Sequence, residues 1–127
     1  MKQFLIFTAI VEAITGILLV VAPASIVSFL FGIELSDKAG IIAAMIGGAG
    51  IFSMSLICWL LRDQQSASIG IQGLLAYNVS ITAVLLYGSF SFGLQGWVLW
   101  TIIIFHAVQS LACLHFLRKK VIVTTAA

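Results

Sequence analysis

The sequence predicts an all-α fold: an integral membrane four-helix bundle with a short interfacial helix after the first span. Of its 127 residues, 62% are hydrophobic and 8% are charged, whereas soluble domains carry about 25% charged residues. So little charge cannot cover a soluble globule of this size. Four apolar runs are each long enough to cross a hydrocarbon core, which needs about 20 helical residues. Such runs must be helical because lipid offers the backbone no hydrogen bonds.

The spans are expected to form one membrane domain over residues 1–127. The only proline is Pro23, so each span can run as an unbroken helix. Ser36 or Asp37 would cap the second span by accepting a hydrogen bond from its first turn. The four predicted spans cover about residues 3–22, 38–61, 66–88 and 96–117.

The segment between the first two spans is too short to cross a membrane. We expect residues 24–31 to form a helix that lies at the membrane interface or folds back against the bundle. Pro23 suits the first turn of this helix, and Gly32 suits its end. Residues 62–66 are predicted to form a tight, charged turn between the second and third spans.

Basic residues are concentrated at one set of span ends, and the side that carries them normally faces the cytoplasm. The opposite side carries only Lys38, and the basic side carries Lys2, Arg62, Arg118, Lys119 and Lys120. This asymmetry predicts that both termini are cytoplasmic. The apolar spans predict that the protein lies in a lipid bilayer. The net charge of +2 is too small to suggest a nucleic-acid partner.

The sequence carries no compact nucleotide-binding, zinc-protease or serine-hydrolase motif, so it assigns no catalytic residue and leaves enzyme activity open. His106 and His115 lie nine residues apart, out of phase on one helix, and cannot both ligate one metal ion. We therefore predict no metal site and no required cofactor. A quinone, or a haem ligated by His106, remains an alternative. Cys58 and Cys113 are interpreted as buried apolar residues.

Small residues form two neighbouring stripes on the second span. Gly40, Ala44 and Gly48 recur every four residues, and Gly47 belongs to the adjacent stripe. Small side chains let helix backbones approach closely, which favours association in lipid. We expect these residues to pack the second span within its own bundle, with contact to a second copy or a partner membrane protein as the alternative.

Polar residues in three different spans are predicted to meet at the centre of the bundle. Glu12 is near the middle of the first span, and Thr8 and Thr15 share its face. Asn78 and His106 lie at similar depths in the third and fourth spans, because a helix rises about 1.5 Å per residue. The candidate ligand-binding residues are Glu12, Asn78, His106 and Gln109.

Glu12 is the least expected residue in these runs, because a charge at mid-bilayer costs about 2.5–3.5 kcal/mol on insertion scales. It is expected to be either neutral or ionised against a protonated His106. An acid inside a membrane is by default a functional hypothesis. The alternative is a hydrogen-bonded cluster that only fixes how the helices pack.

The layout resembles the DoxX-like group of small four-helix bacterial membrane proteins. The resemblance covers most of the chain and is carried by Glu12, Gly16, Pro23, Phe31, Gly32, Gly47, Gly48 and Arg62. It implies a bacterial cytoplasmic (inner) membrane and a compact bundle with a lipophilic interior site. Some members of the group are membrane subunits linked to quinone-dependent oxidoreductases. The resemblance assigns no catalytic role to any residue.

Three functions are compatible with these features. The first is a bundle that binds a lipid-like or hydrophobic small molecule, or a partner membrane protein, through its polar intramembrane residues. The second is a membrane redox or enzyme subunit in which Glu12 and His106 transfer protons to a quinone-like substrate, which requires the two groups within hydrogen-bond reach. The third is a small transporter that works as a homo-oligomer, since four helices enclose little volume.

Overall fold

The computed structural model describes residues 1–63 and 67–125, with side chains up to residue 118. Within these ranges every regular element is a helix, which confirms the predicted all-α fold. The helices are α1 (Lys2–Val21), α2 (Pro23–Phe31), α3 (Lys38–Leu61), α4 (Ala67–Phe92) and α5 (Trp97–Thr125). Part of the predicted turn, residues 64–66, and the side chains of Lys119 and Lys120 lie outside the described residues.

Four helices are long and apolar enough to cross a membrane, as predicted. They are α1, α3, α4 and the Trp97–Arg118 part of α5. The helix α4 continues four residues past its predicted end at residue 88, and the Leu94 side chain lies against Gly88. Gly93, with a positive φ of 66°, follows the last residue of α4.

The short helix α2 has the predicted boundaries. Pro23 occupies its first turn, and Gly32 ends it in the left-handed conformation with φ of 68°. Its 9 residues extend only about 14 Å, which is too short to span a bilayer. It packs against α1, α3 and α5, and none of its residues is buried.

Asp37 caps α3, one of the two predicted capping residues. Its carboxylate oxygen Oδ1 accepts a hydrogen bond of 2.6 Å from the backbone N–H of Gly40. A Cβ atom on Gly40 would stand 2.5 Å from the other carboxylate oxygen. Gly40 therefore makes room for the cap.

The bundle consists of two helix pairs, α1 with α3 and α4 with α5, each packed backbone against backbone. Between the pairs, among the described residues, every Cα–Cα distance from α1 to α4 or α5, and from α3 to α5, exceeds 8 Å. Long side chains fill this wider interface. Rings of α1 meet rings of α5 at centroid distances of 5.3 Å for Phe4 with Phe116 and 6.4 Å for Phe7 with Phe105.

The hydrophobic core lies toward one end of the bundle, which we call the basic end because it carries Lys2, Arg62 and Arg118. The other end is the α2 end. The core cluster contains the buried residues Leu5, Ala9, Cys58, Ala67, Ile71, Leu74 and Cys113. All four long helices contribute to it, so the two pairs are joined most firmly near the basic end.

An ion-pair network ties α1 to the end of α3. Lys2 Nζ lies 2.6 Å from Asp63 Oδ1, and Arg62 Nε lies 3.4 Å from Asp63 Oδ2. Arg62 also donates to the Trp59 carbonyl oxygen and stacks 4.1 Å from the Trp59 ring centroid. The hydrogen bond from Lys2 holds the pKa of Asp63 below its ordinary value. The network fixes the register of α1 on α3 at the basic end.

Candidate functional site

Glu12 lies on the inner face of α1 and is only 3% exposed. Its carboxylate oxygen Oε2 accepts a hydrogen bond from the Tyr77 hydroxyl of α4 at 3.4 Å. That distance is long for an O–H···O bond, whose usual range is about 2.5–3.0 Å. The acid is thus enclosed by the bundle but only weakly satisfied by it.

Asn78 and His106 form the strongest polar contact between α4 and α5. Asn78 Oδ1 lies 2.7 Å from His106 Nδ1, and both residues are buried. The Asn78 amide nitrogen donates to the Leu74 carbonyl oxygen at 2.7 Å, which leaves Oδ1 as the acceptor. His106 Nδ1 therefore carries the proton, and in the neutral ring Nε2 keeps the lone pair.

Tyr77 stands between Glu12 and His106. Its hydroxyl reaches Glu12, and its ring meets the His106 ring edge-on, with centroids 5.9 Å apart at 78°. Over the residues that the structure describes, Glu12 and His106 share neither a hydrogen bond nor an ion pair. The described residues therefore contain no ion pair between Glu12 and His106, and Tyr77 lies between the two side chains.

A second polar contact joins the helix pairs one turn closer to the basic end. The Gln109 amide nitrogen of α5 donates to the Thr8 hydroxyl of α1 at 3.2 Å. Thr8 is completely buried, and Gln109 is only 5% exposed. This contact and the Tyr77–Glu12 bond are the side-chain hydrogen bonds that cross between the helix pairs within residues 1–63 and 67–118.

The four candidate residues Glu12, Asn78, His106 and Gln109 all lie at the interface between the helix pairs. Together with Thr8 and Tyr77 they form what we call the polar seam. Thr15, which shares the predicted face of Glu12, instead donates to the Val11 carbonyl oxygen within α1.

Tyr77 was not among the candidate residues that the sequence predicted. The signal that could have identified it is length, because a tyrosine hydroxyl reaches across a gap too wide for Asn78. Ser55, buried on α3, was not singled out by the sequence. It donates to the Phe52 carbonyl oxygen of its own helix at 2.7 Å.

Two atoms of the polar seam, Glu12 Oε1 and His106 Nε2, have no hydrogen-bond partner among the described residues. Every fully enclosed side-chain nitrogen or oxygen in this part of the chain does have a partner. Glu12 Oε1 therefore keeps some accessible surface although the residue is 97% buried. His106 Nε2 likewise has no partner among the described residues, and His106 is 8% exposed.

The four candidate packing residues of α3 have different surroundings. Gly48 faces α1 closely, with a Cβ position only 2.7 Å from the Leu19 Cβ atom. Gly40 accommodates the Asp37 cap, and Ala44 is half-buried. Gly47 is exposed, and nothing lies within 4 Å of its Cβ position.

The two cysteines are fully buried and belong to the same core cluster. Cys58 is on α3 and Cys113 on α5, whose described Cα atoms all lie more than 8 Å apart. A disulfide needs Cα atoms within about 7 Å, so this arrangement cannot form one without backbone movement. Among the residues described, no group of three or more His, Cys, Asp or Glu side chains could hold a metal ion. His115 is exposed, away from His106.

Two grooves are formed by the helix pairs themselves. One, of about 420 Å³, is lined by α4 and α5 residues: Val79, Thr82, Ala83, Leu86, Ala107, Ser110 and Leu111. The other, of about 300 Å³, is lined by α1 and α3 residues: Gly16, Ile17, Val20, Val21, Ala49, Phe52 and Ser53. No residue of the polar seam lines either groove, so the seam is approached from a different side.

Comparisons with known proteins give no relative for this chain. No protein-family model matches it, and searches of curated proteins and of solved structures give no match. These results neither support nor contradict the resemblance to the DoxX-like group, which stays a prediction. The function is therefore argued from the polar seam alone.

Proposed function

We propose that this protein binds a hydrophobic, lipid-like molecule within the bilayer and that the polar seam recognises the polar group of that molecule. One observation carries the proposal. Glu12 is only 3% exposed, yet one of its carboxyl oxygens has no partner in the described part of the chain. The bundle encloses an acid whose hydrogen bonds it does not complete.

The energetics of buried polar groups support a bound partner. A carboxyl group offers up to about four hydrogen-bonding positions, and Glu12 uses one of them in a bond of 3.4 Å. An unsatisfied polar group costs about 1–3 kcal/mol when it is buried, and a lipid chain offers no hydrogen bond to one that keeps some accessible surface. A ligand with a hydroxyl or carbonyl group would complete the bonds of Glu12 and His106 Nε2, while its apolar part stays in lipid.

The test is whether a small molecule accompanies the purified protein. The wild-type protein is purified in a mild detergent, and native mass spectrometry reports any retained mass. We expect a retained molecule in the wild type and a clear loss in Glu12→Gln, which keeps the side-chain shape but removes the acid. Ser53→Ala is the matched control, because Ser53 is exposed and donates only to the Ala49 carbonyl oxygen of its own helix. A wild-type protein that is folded and carries no small molecule would reject the proposal.

Proton transfer to a quinone-like substrate is the second candidate. Tyr77 favours it, since its hydroxyl hydrogen-bonds to Glu12 and its ring lies against the His106 ring, so that three groups able to hold a proton lie close together. An organic extract of the purified protein tests the idea. Quinone absorbance in the extract would support a membrane redox subunit, and an extract that contains only redox-inactive lipids would reject it.

We also infer that the basic end faces the cytoplasm of a bacterial cell. Support comes from Lys2, Arg62 and Arg118, which lie at this end of the bundle, because positive residues are retained on the cytoplasmic side. The N-terminal end of α1 and the C-terminal end of the fourth span, at Arg118, both lie at this end of the bundle. The proposed ligand is therefore one of the lipophilic molecules of that membrane.

A further inference from the structure

The contact between α3 and α4 changes along the bundle. At the basic end the two helices touch, and a Cβ atom on Gly70 would stand 2.7 Å from Leu61 Cδ1. Cys58 of α3 and Ile71 of α4 are both fully buried in the core cluster there. Only residues 62–66 separate the two helices in the sequence, which accounts for this closeness.

Toward the α2 end the two helices no longer bury each other. On α3, Gly48 is the only buried residue between residues 38 and 54, and it packs against α1. On α4, no residue from 79 to 87 is buried. The two helices therefore diverge and leave an opening that faces the lipid.

The opening lies on the face of α3 that packs toward α4 at the basic end. Residues spaced three or four apart share one face of a helix. Residues at these spacings form one face of α3, which runs from Leu61 and Cys58, through Met54, to Gly50, Gly47 and Ala43. Leu61 meets α4, whereas Gly47 and Gly50 have nothing within 4 Å of their Cβ positions. We call Ala43, Gly47 and Gly50 the open face of α3.

The polar seam faces the same opening from α4. Tyr77 lies seven residues after Gly70, which is two helical turns, so it shares the side of α4 that touches Leu61. The Tyr77 hydroxyl points to Glu12, since it donates to that carboxyl group. Tyr77 therefore links the side of α4 beside the opening to a side chain that is 97% buried and has one carboxyl oxygen, Oε1, without a partner among the described residues.

We propose that the opening between α3 and α4 holds the alkyl chain of a neutral single-chain lipid, whose hydroxyl or carbonyl group hydrogen-bonds to Glu12 and Tyr77. This inference rests on the proposed function and adds the place, the route and the chemical class of the ligand. Glycine at positions 47 and 50 leaves the width that a chain needs beside the helix backbone. The ligand moves in sideways from the bilayer, without crossing either membrane surface.

The surroundings of Glu12 select against a charged ligand head. An anionic head would meet the acid of Glu12, and the described side chains place no lysine or arginine beside it. A head of either charge would also lose its hydration at mid-bilayer depth, which is costly. A hydroxyl or carbonyl group avoids both costs and uses the free oxygen of Glu12.

The experiment uses photo-crosslinking in nanodiscs of phosphatidylcholine. The probe is hexadecanol with a diazirine in its chain, and mass spectrometry maps the labelled peptides. We expect labels on residues 43–51 of α3 and 77–84 of α4. Gly47→Leu should lower this labelling by about tenfold, because added methylene groups compete with the alkyl chain for the same space. Gly50→Leu should act in the same way and serves as an independent second variant.

Ala83→Leu is the matched control. Ala83 is an exposed small residue that lines the groove between α4 and α5, so leucine there fills a different space. Its labelling should equal that of the wild type. If Ala83→Leu removes the label, or if folded Gly47→Leu and Gly50→Leu both label like the wild type, the placement between α3 and α4 is wrong.

A second probe and a second variant test the ligand class. A hexadecyl trimethylammonium analogue with the same diazirine should label these peptides less than the alcohol does. Tyr77→Phe keeps the ring but removes the hydroxyl, so it should weaken labelling by the alcohol. Stronger labelling by the ammonium probe would overturn the neutral class. If the protein retains its co-purified molecule while Gly47→Leu changes nothing, only this inference fails and the proposed function stands.

Discussion

Gly16 and Gly48 meet backbone to backbone where α1 crosses α3. A Cβ atom on Gly16 would stand 2.7 Å from the Gly48 carbonyl oxygen, and a Cβ atom on Gly48 would stand 2.8 Å from the Gly16 carbonyl oxygen. Real Cβ atoms do not approach backbone atoms this closely, so only glycine fits on either side. The residue before Gly48, Gly47, has nothing within 4 Å of its Cβ position. Two consecutive glycines thus have opposite structural roles.

Gly48→Ala should destabilise the bundle by about 1–3 kcal/mol, because the added methyl group forces α1 and α3 apart. Gly47→Ala is the control and should be neutral or slightly stabilising, since alanine is the better helix former. Thermal unfolding in detergent, followed by circular dichroism, compares the two variants. Equal stability of both variants would contradict the close contact between α1 and α3.

Asn78→Leu should cost about 1–3 kcal/mol of stability because it removes the acceptor of the buried His106 Nδ1–H group. Tyr77→Phe should cost less, about 0.6 kcal/mol, as its hydrogen bond to Glu12 is long. The same unfolding assay ranks the two variants. A larger loss for Tyr77→Phe would mean that the Glu12 contact between the helix pairs stabilises the bundle more than the Asn78–His106 contact within the α4–α5 pair.

The proton on His106 can be observed directly. Histidine labelled with ¹⁵N should show one ring with the proton on Nδ1, assigned to His106 by its loss in His106→Gln. His115 is exposed and provides the internal reference within the same spectrum. A proton on Nε2 of His106 would require the Asn78 amide to be reversed and would remove Nε2 as a lone-pair site for a ligand.

The ion pair at Asp63 should make stability depend on pH in the acid range. The folded-state pKa of Asp63 is lowered, chiefly by the hydrogen bond from Lys2. Such a group stabilises the folded state above its ordinary pKa of 3.8, and this contribution is lost as the pH falls through the lower folded-state pKa. The wild type should therefore exceed Asp63→Asn in Tm at neutral pH by a small margin that salt reduces. The two Tm values should converge below the folded-state pKa, and a gap that widens with acid would contradict the ion pair.

The orientation of the bundle can be measured with single introduced cysteines. Cys58 and Cys113 are fully buried and need not be removed. A membrane-impermeant maleimide should label Ser36→Cys, at the α2 end, in intact cells. Gln3→Cys, at the basic end, should react only after the cells are lysed. The reverse pattern would place the basic end outside and contradict the charge asymmetry of the sequence.

Much of the fold follows from the sequence because lipid allows few alternatives. Apolar length sets the spans, and helical periodicity brings Glu12, Asn78 and His106 to inner faces. Periodicity gives the face of each residue but not its neighbour. The bridge through Tyr77 therefore depends on how far apart the helix pairs stand, which no single helix specifies.

The glycines of α3 give a second example of neighbours that helical periodicity does not predict. The stripes on α3 are almost equivalent as patterns, and only the position of α1 decides that Gly48 packs while Gly47 stays open. This outcome depends on a segment that is distant in sequence but adjacent in space.

The interface between the two helix pairs also determines which parts of the molecule can move relative to each other. Glycine contacts hold α1 on α3 rigidly, since backbones cannot slide past each other without breaking a close fit. Across the wider interface the pairs touch through rings and amide groups such as Phe4, Tyr77 and Gln109, which can change rotamer while staying in contact. Thermal motion should therefore appear as rocking of one pair against the other, with the core cluster near the basic end as the pivot.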